Sequence, residues 1–309
     1  MKTYYSFDDF KKVENAVVTI GTFDGVHIGH RKIIFRINEI ARQINGESVL
    51  LTFFPHPRMV LHPEDNSIKL LNTLNERIEL LKQAGIDHLL IIPFTAEFAE
   101  TSSEDFIRQV LVEKLGTKKL VIGYDHHFGK NREGSFMNLK NSASDYGFEV
   151  EEIPEQDIND VAVSSTKIRK SLLLGDLSTA KQYLGYDFEL NGTVVRGDQI
   201  GRTIGFPTAN IFVGEKYKLI PKDGIYAAMA NINGKQYAGM LYIGNRPTLN
   251  ETKKVIELNI FDFDQDIYDQ NIQVLLKEFI RDDQKFENLE ALKAQLGNDE
   301  EVARRFFGL

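Results

Sequence analysis

The chain has 309 residues, 42% of them hydrophobic and 27% charged, with a net charge of −8 and no cysteine. That length exceeds what one core usually organises, so two domains are expected. The missing cysteines exclude disulfides, thiolate metal sites and cysteine nucleophiles, and the acidic balance argues against nucleic acid as a partner.

No apolar run approaches the roughly 20 residues of a membrane span, and MKTYYSFDDFKKVEN lacks the apolar core and cleavage pattern of a signal peptide. A cytoplasmic protein acting on small molecules, with no membrane partner, is expected; nothing in the sequence sets its oligomeric state. Small phosphates stay admissible, because a local pocket can be positive on an acidic protein.

The first half alternates in period. AVVTIGTF (16–23) reads as a buried strand, and from His30 onward Ile33, Ile34, Ile37, Ile40 and Ile44 recur at helical spacing. SVLLTFF (48–54) returns to strand. Thr73 with Glu76 makes a capping box before RIELLKQAG, which stops at Gly85. HLLIIPF (88–94) is a third strand, Thr101 with Glu104 repeats the capping pattern, and KKLVIG (118–123) and FEVEEI (148–153) complete five strands. Strands alternating with helices imply parallel βαβ crossovers, hence a Rossmann-like α/β domain, assigned to 1–184.

From about residue 185 the pattern changes. FELNGTVVRG, GIYAAMANI, KQYAGMLYI, KVIELNIFDF and NIQVLLKEFI are strand-like with no long helix between them, and Asn233–Gly234 signals a type I′ hairpin. FENLEALKAQL and DEEVARRFF read as C-terminal helices. A small antiparallel barrel is expected over 185–309.

All seven histidines (27, 30, 56, 62, 88, 126 and 127) lie in the first domain. His27 and His30 follow a strand and a turn with glycines at 21, 25 and 29, where a helix begins. Residues three apart share a helix face, and the free amides and positive dipole end already favour phosphate. Two imidazoles there could hold an α-phosphate and stabilise charge developing on it. Two incidental histidines in a solvated first turn are the plain alternative. His126 and His127 are adjacent and diverge on any regular element, which argues against a metal pair. His56 reads as a loop-shape residue, and His62 and His88 as structural.

GTFDGVHIGH carries the His-x-Gly-His signature of nucleotidyltransferases and resembles the adenylyltransferase module of bacterial bifunctional riboflavin kinase/FAD synthetases. TFFPHP (52–57), GYDHHFGKNREG (123–134) and SSTKIRKSLLLGDL (164–177) match in order. The last has its own logic: Ser164, Ser165 and Thr166 at a helix start, with Arg169 one turn on, suit a pyrophosphate. The resemblance implies ATP contacts at Gly21, Thr22, Phe23, Asp24 and Gly25. It implies flavin contacts at Phe54, Pro55, Pro57, Asp125 and Phe128.

In the second domain, Gly197–Thr203 is one residue short of a phosphate-binding P-loop and has Arg202 where lysine belongs, so that reading is rejected. Thr208 and Asn210 of Pro-Thr-Ala-Asn lie two apart and share a side in extended backbone. Their hydroxyl and amide oxygens suit Mg²⁺ already carrying phosphate. A kinase also needs a base. Glu257 alternates with the Ile256, Leu258 and Ile260 stripe, but chemistry alone leaves it in competition with Asp262, Asp264 and Asp266.

GRTIGFPTAN, PKDGIYAA, GNRPT, IELNIFDFDQDIYD and FIRDDQKF together resemble the riboflavin kinase module. That likeness implies Glu257 as base, Thr208 and Asn210 at Mg-nucleotide, and ATP contacts at Gly201, Arg202 and Gly205. It also implies a flavin contact at Arg281. Asn259 departs from the histidine common among relatives. The implied activity is conversion of riboflavin to FMN and of FMN to FAD, each with ATP. Two rivals stand beside it. An aminoacyl-tRNA synthetase fragment predicts a Lys-Met-Ser-Lys-Ser-type loop and a basic face, and neither is present. A flavin-storage protein predicts erosion of His27, His30, Thr208, Asn210 or Glu257, and all five are present.

Overall fold

The apolar runs of the first half become parallel strands because each is buried on both faces. In this computed structural model, which describes residues 1–65, 67–124, 127–154, 163–197, 200–247 and 252–309, the chain divides into two units, Met1–Ser165 and Thr166–Leu309. In the first, β1 (Lys2–Tyr4), β2 (Ala16–Ile20), β3 (Ser48–Phe53), β4 (His88–Ile92), β5 (Thr117–Gly123) and β6 (Glu149–Ile153) form one sheet, ordered β1-β4-β3-β2-β5-β6. Every pair is parallel, and β2 and β3 are buried at every position, as a sheet covered on both faces requires. The chain runs outward from β2 to one edge and returns beside β2 as β5. This switch point opens a crevice at the carboxyl end of β2.

Helices Ile28–Gln43, Leu74–Gln83 and Phe136–Tyr146 and the π-helical turns of Phe106–Lys114 connect the strands. The Thr73–Glu76 capping box forms as expected: the Glu76 amide donates to Thr73 Oγ1 at 3.2 Å, and the Thr73 amide to Glu76 Oε2 at 2.8 Å. The second cap lies one residue beyond its expected place, with Ser102 Oγ accepting from the Asp105 amide at 3.1 Å. The sequence TSSED offers both pairings, Thr101–Glu104 and Ser102–Asp105. Strand β1 was not expected. His88, 2% exposed, helps tie it to β4, with Nε2 2.8 Å from Glu47 and Nδ1 3.0 Å from the Tyr4 hydroxyl.

In the second unit β7 (Glu189–Val195), β8 (Ala209–Phe212), β9 (Gly224–Ile232), β10 (Lys235–Pro247), β11 (Thr252–Ile260) and β12 (Asn271–Asp282) close a barrel ordered β10-β11-β8-β7-β12-β9. All its pairs are antiparallel. Asn233 and Gly234 adopt φ of 51° and 78°, the positive values that a type I′ turn needs at both central residues. The helices Ser165–Leu174 and Leu177–Leu184 belong with the barrel: the Lys222 amide donates to the Leu172 carbonyl at 3.1 Å, and the second helix lies against β12.

The tail is one helix, Leu289–Phe307, rather than the two expected. Gly297 costs a helix interior about 1 kcal/mol, which tertiary anchoring offsets. Arg281 of β12 forks onto Asp299, at 2.8 Å to Oδ1 and 2.7 Å to Oδ2, and Gln295 Nε2 adds a bond at 2.8 Å. Asp299 is 1% exposed, and breaking such a pair strands a buried charge. Asp299→Ala is therefore expected to lower the stability of the second unit by about 3 kcal/mol, read as a fall in its urea midpoint by circular dichroism. A change under about 1 kcal/mol would show the pair to be no more than a surface contact.

Candidate active sites

Beyond Ile20 the chain makes a strained turn. Gly25 has φ 87°, but Phe23 at 49° and Val26 at 35° are also left-handed, and a β-branched residue there costs on the order of 1–3 kcal/mol. The Val26 amide closes the turn on the Phe23 carbonyl at 3.1 Å. His27 then caps the helix Ile28–Gln43, its Nδ1 accepting from the His30 amide at 3.3 Å. The two rings stack with centroids 3.6 Å apart and planes 14° apart, with Phe23 4.9 Å from His30. This meets the expectation that both rings face one way. Burial, then the neighbouring His27 and the Arg77 charge, hold His30 well below the usual histidine range. The ring is neutral near pH 7, with one nitrogen able to donate and one to accept.

Two buried ions lace this turn to the rest of the crevice. Asp24, 2% exposed, accepts from the amides of Leu71 at 2.9 Å and Asn72 at 3.3 Å. Arg77, 3% exposed, donates to the Thr22 carbonyl at 2.6 Å and the Phe53 carbonyl at 3.4 Å. Ser165 Oγ donates to the Asp24 carbonyl at 2.9 Å. Sequence reading assigned Asp24 to ATP and missed Arg77. The available signal was a carboxylate inside an otherwise apolar, glycine-punctuated segment.

Gly21, Thr22, Phe23, Asp24, Gly25, His27, His30 and Ser165 are thus gathered at the end of β2, with Ser164 adjoining. Thr166 and Arg169 stand on the helix Ser165–Leu174, the first exposed and the second half-buried. Phe54 and Pro55 follow β3 and share a cis peptide. His56 caps the short helix Pro57–Leu61, accepting from the Arg58 amide at 3.2 Å, in keeping with a role in loop shape. Phe128 is packed in the core, 5.6 Å from Phe106. Asp125 and His126 lie outside the described residues. A cluster unnoticed in the sequence, Phe53, Phe94 and Phe98, gathers with centroids 5.4 to 5.9 Å apart beyond β3 and β4.

In the barrel, Glu257 of β11 stands opposite Asn210 on β8 and Tyr242 on β10, so the three side chains form one row across adjacent strands. Ile256, Leu258 and Ile260 are buried, as the stripe predicts. The Tyr242 hydroxyl donates to Asp283 at 3.2 Å. Burial first, then Asp283 and Glu257, push it up to about 12, so it is a neutral donor. Asn259 Nδ2 donates to the Pro207 carbonyl at 2.7 Å and braces the Pro-Thr-Ala-Asn segment. Of the rival carboxylates, Asp262 is held by a fork from Arg304 at 3.0 Å. Arg281 is committed to Asp299.

A cavity of about 540 Å³ is lined by Arg202, Thr208, Asp264, Asp266 and Tyr268 with apolar neighbours. Gly201 and Gly205 shape the turn before it, closed by the Phe206 amide on the Gly201 carbonyl at 2.8 Å. A Cβ at Gly197 would lie 2.3 Å from Asn210 Nδ2, so the glycine keeps room at that amide. Among the described residues no group of three histidine or carboxylate side chains could hold a metal. Thr208 and Asn210 nonetheless offer two neutral oxygens, a donor set that fits Mg²⁺ bringing its own phosphate and water ligands.

A histidine-capped turn at a switch point, together with a barrel carrying a carboxylate beside hydroxyl and amide donors, defines a two-module enzyme of phosphate transfer. The FAD synthetase family matches residues 9–167 and the riboflavin kinase family residues 184–307. A bifunctional riboflavin kinase/FMN adenylyltransferase from Listeria monocytogenes is 39% identical over 99% of this chain and 98% of its own. One from Escherichia coli K12 is 38% identical over 96% and 94%. The chain belongs to this bifunctional family. A solved structure described as a macrolide-efflux protein from Streptococcus pneumoniae shares the fold, with a TM-score of 0.89 and 32% identity over 98% of both chains. Among the described residues here, no helix is long and apolar enough to cross a membrane.

The state of His30 predicts a pH effect. The unfolded chain protonates a histidine near pH 6.5 while folded His30 stays neutral, so the unfolded state binds more protons and stability falls as pH drops below that value. His30→Gln is expected to flatten the fall in melting temperature of the first unit between pH 7 and 5.5. An unchanged slope would show that His30 is readily protonated in the folded protein.

Proposed function

We propose that the two steps of flavin cofactor synthesis are divided between the units by their proton chemistry. The observation that carries this reading is the contrast between a stacked imidazole pair at a helix start and a histidine-free carboxylate row in the barrel. In the barrel, Glu257 takes the proton of the riboflavin 5′-hydroxyl, whose oxygen attacks the γ-phosphorus of ATP, giving FMN and ADP. Thr208 and Asn210 would hold Mg²⁺, which when bound neutralises charge on the β- and γ-phosphate oxygens. Tyr242, beside Glu257, offers a fixed hydroxyl to the same row.

In the first unit an FMN phosphate oxygen attacks the α-phosphorus of ATP, and pyrophosphate leaves. His27 and His30 donate to the α-phosphate oxygens as charge builds there, aided by the free amides of the helix start. Ser164 and Ser165 adjoin this turn and suit the departing pyrophosphate. The Phe53–Phe94–Phe98 cluster supplies an aromatic face for the isoalloxazine ring.

Chromatography of products from riboflavin, ATP and Mg²⁺ tests the whole scheme: both FMN and FAD should form, and the appearance of neither would sink it. His30→Ala should stop at FMN, with FAD formation lowered about 10²- to 10³-fold. Glu257→Ala should lower FMN formation by about 10²-fold or more yet convert supplied FMN to FAD at the normal rate. Equal losses of both steps in either variant would contradict the division.

A further inference from the structure

Arg77 is a buried cation in the second turn of a helix that contributes none of the residues expected to touch substrate. Its fork does not face outward. It grips the Thr22 carbonyl at 2.6 Å and the Phe53 carbonyl at 3.4 Å, one just past β2 and the other at the end of β3. The adjoining segment is gripped in return by Asp24 from within the turn. Phe23 lies between these contacts and Val26 just beyond them, both held at φ values that neither residue adopts readily. Strain of that kind persists only where the surroundings over-determine it, and here a cation and a carboxylate both tie the turn to the segment 71–77. The strained turn ends on His27, whose cap bond and stacked partner set both imidazoles.

We propose that Arg77 is a positioning residue for adenylyl transfer: by holding the Thr22 and Phe53 carbonyls it sets where the His27–His30 pair meets the α-phosphate. This rests on the first unit being the FMN adenylyltransferase.

The test uses the full chain with FMN and ATP. Arg77→Met should lower kcat for FAD formation about 10- to 100-fold, the scale of a misplaced reacting group. The KM for FMN should stay within about 3-fold. Arg77→Lys keeps the charge without the fork, so kcat should fall there too. Should Arg77→Met fail to fold by circular dichroism, Arg77→Lys alone decides. A kcat at the wild-type level in the deciding variant, or a loss confined to KM, overturns the proposal. FAD formation by the wild type, lost in His30→Ala, is the separate check on the reading beneath it. Its absence sinks both, and its presence with an unaltered Arg77→Met sinks only this one.

Discussion

The Thr22 carbonyl, held 2.6 Å from a buried guanidinium, anchors the turn that carries His27 and His30. β2 supplies a rigid, fully buried stem. The turn beyond it places non-glycine residues in left-handed backbone, which would relax to another path if nothing held it. Arg77 and Asp24 hold it, and both are nearly sealed from water. The low local dielectric strengthens their bonds and makes any loss of a partner costly. The helix start, its cap and the stacked imidazoles follow from where that turn ends.

The barrel solves a different problem with different parts. Phosphorylating a hydroxyl calls for a base next to the nucleophile and a cation site next to the phosphates. Antiparallel pairing can bring such groups into one row, because residues opposite one another on neighbouring strands share a face. Asn210, Glu257 and Tyr242 occupy three adjacent strands at matched register, so their spacing is set by backbone hydrogen bonds rather than by loops. Asn259 then holds the segment that presents Thr208, and the Arg281–Asp299 pair ties the closing helix to β12.

Much of this was legible in the sequence where the signal is local. Apolar runs marked five of the six parallel strands, alternation marked Glu257 against its stripe, and Asn233–Gly234 marked its turn. What escaped reading depends on distant partners. β1 is three residues long and exists through its pairing with β4 and the His88–Tyr4 contact. Arg77 sits 55 residues from the carbonyl it holds, and its place beside Leu80 and Leu81 on the buried face of its helix does not name that partner. Tyr242 and Asn259 gained their roles from cross-strand register and a contact with Pro207. The single terminal helix escaped because Gly297 is a local break signal that the anchored Asp299 overrides.

The division of labour is tested most directly by the fate of two isotopic labels in one reaction. Riboflavin is incubated with the enzyme and ATP labelled either at the γ- or at the α-phosphate. The expected result is γ-label in FMN that is carried into FAD, and α-label in FAD alone. In His30→Ala the γ-label should stay in FMN, and α-label reaching FAD there, or γ-label reaching FMN in Glu257→Ala, would contradict the assignment of γ-transfer to the barrel and α-transfer to the histidine turn.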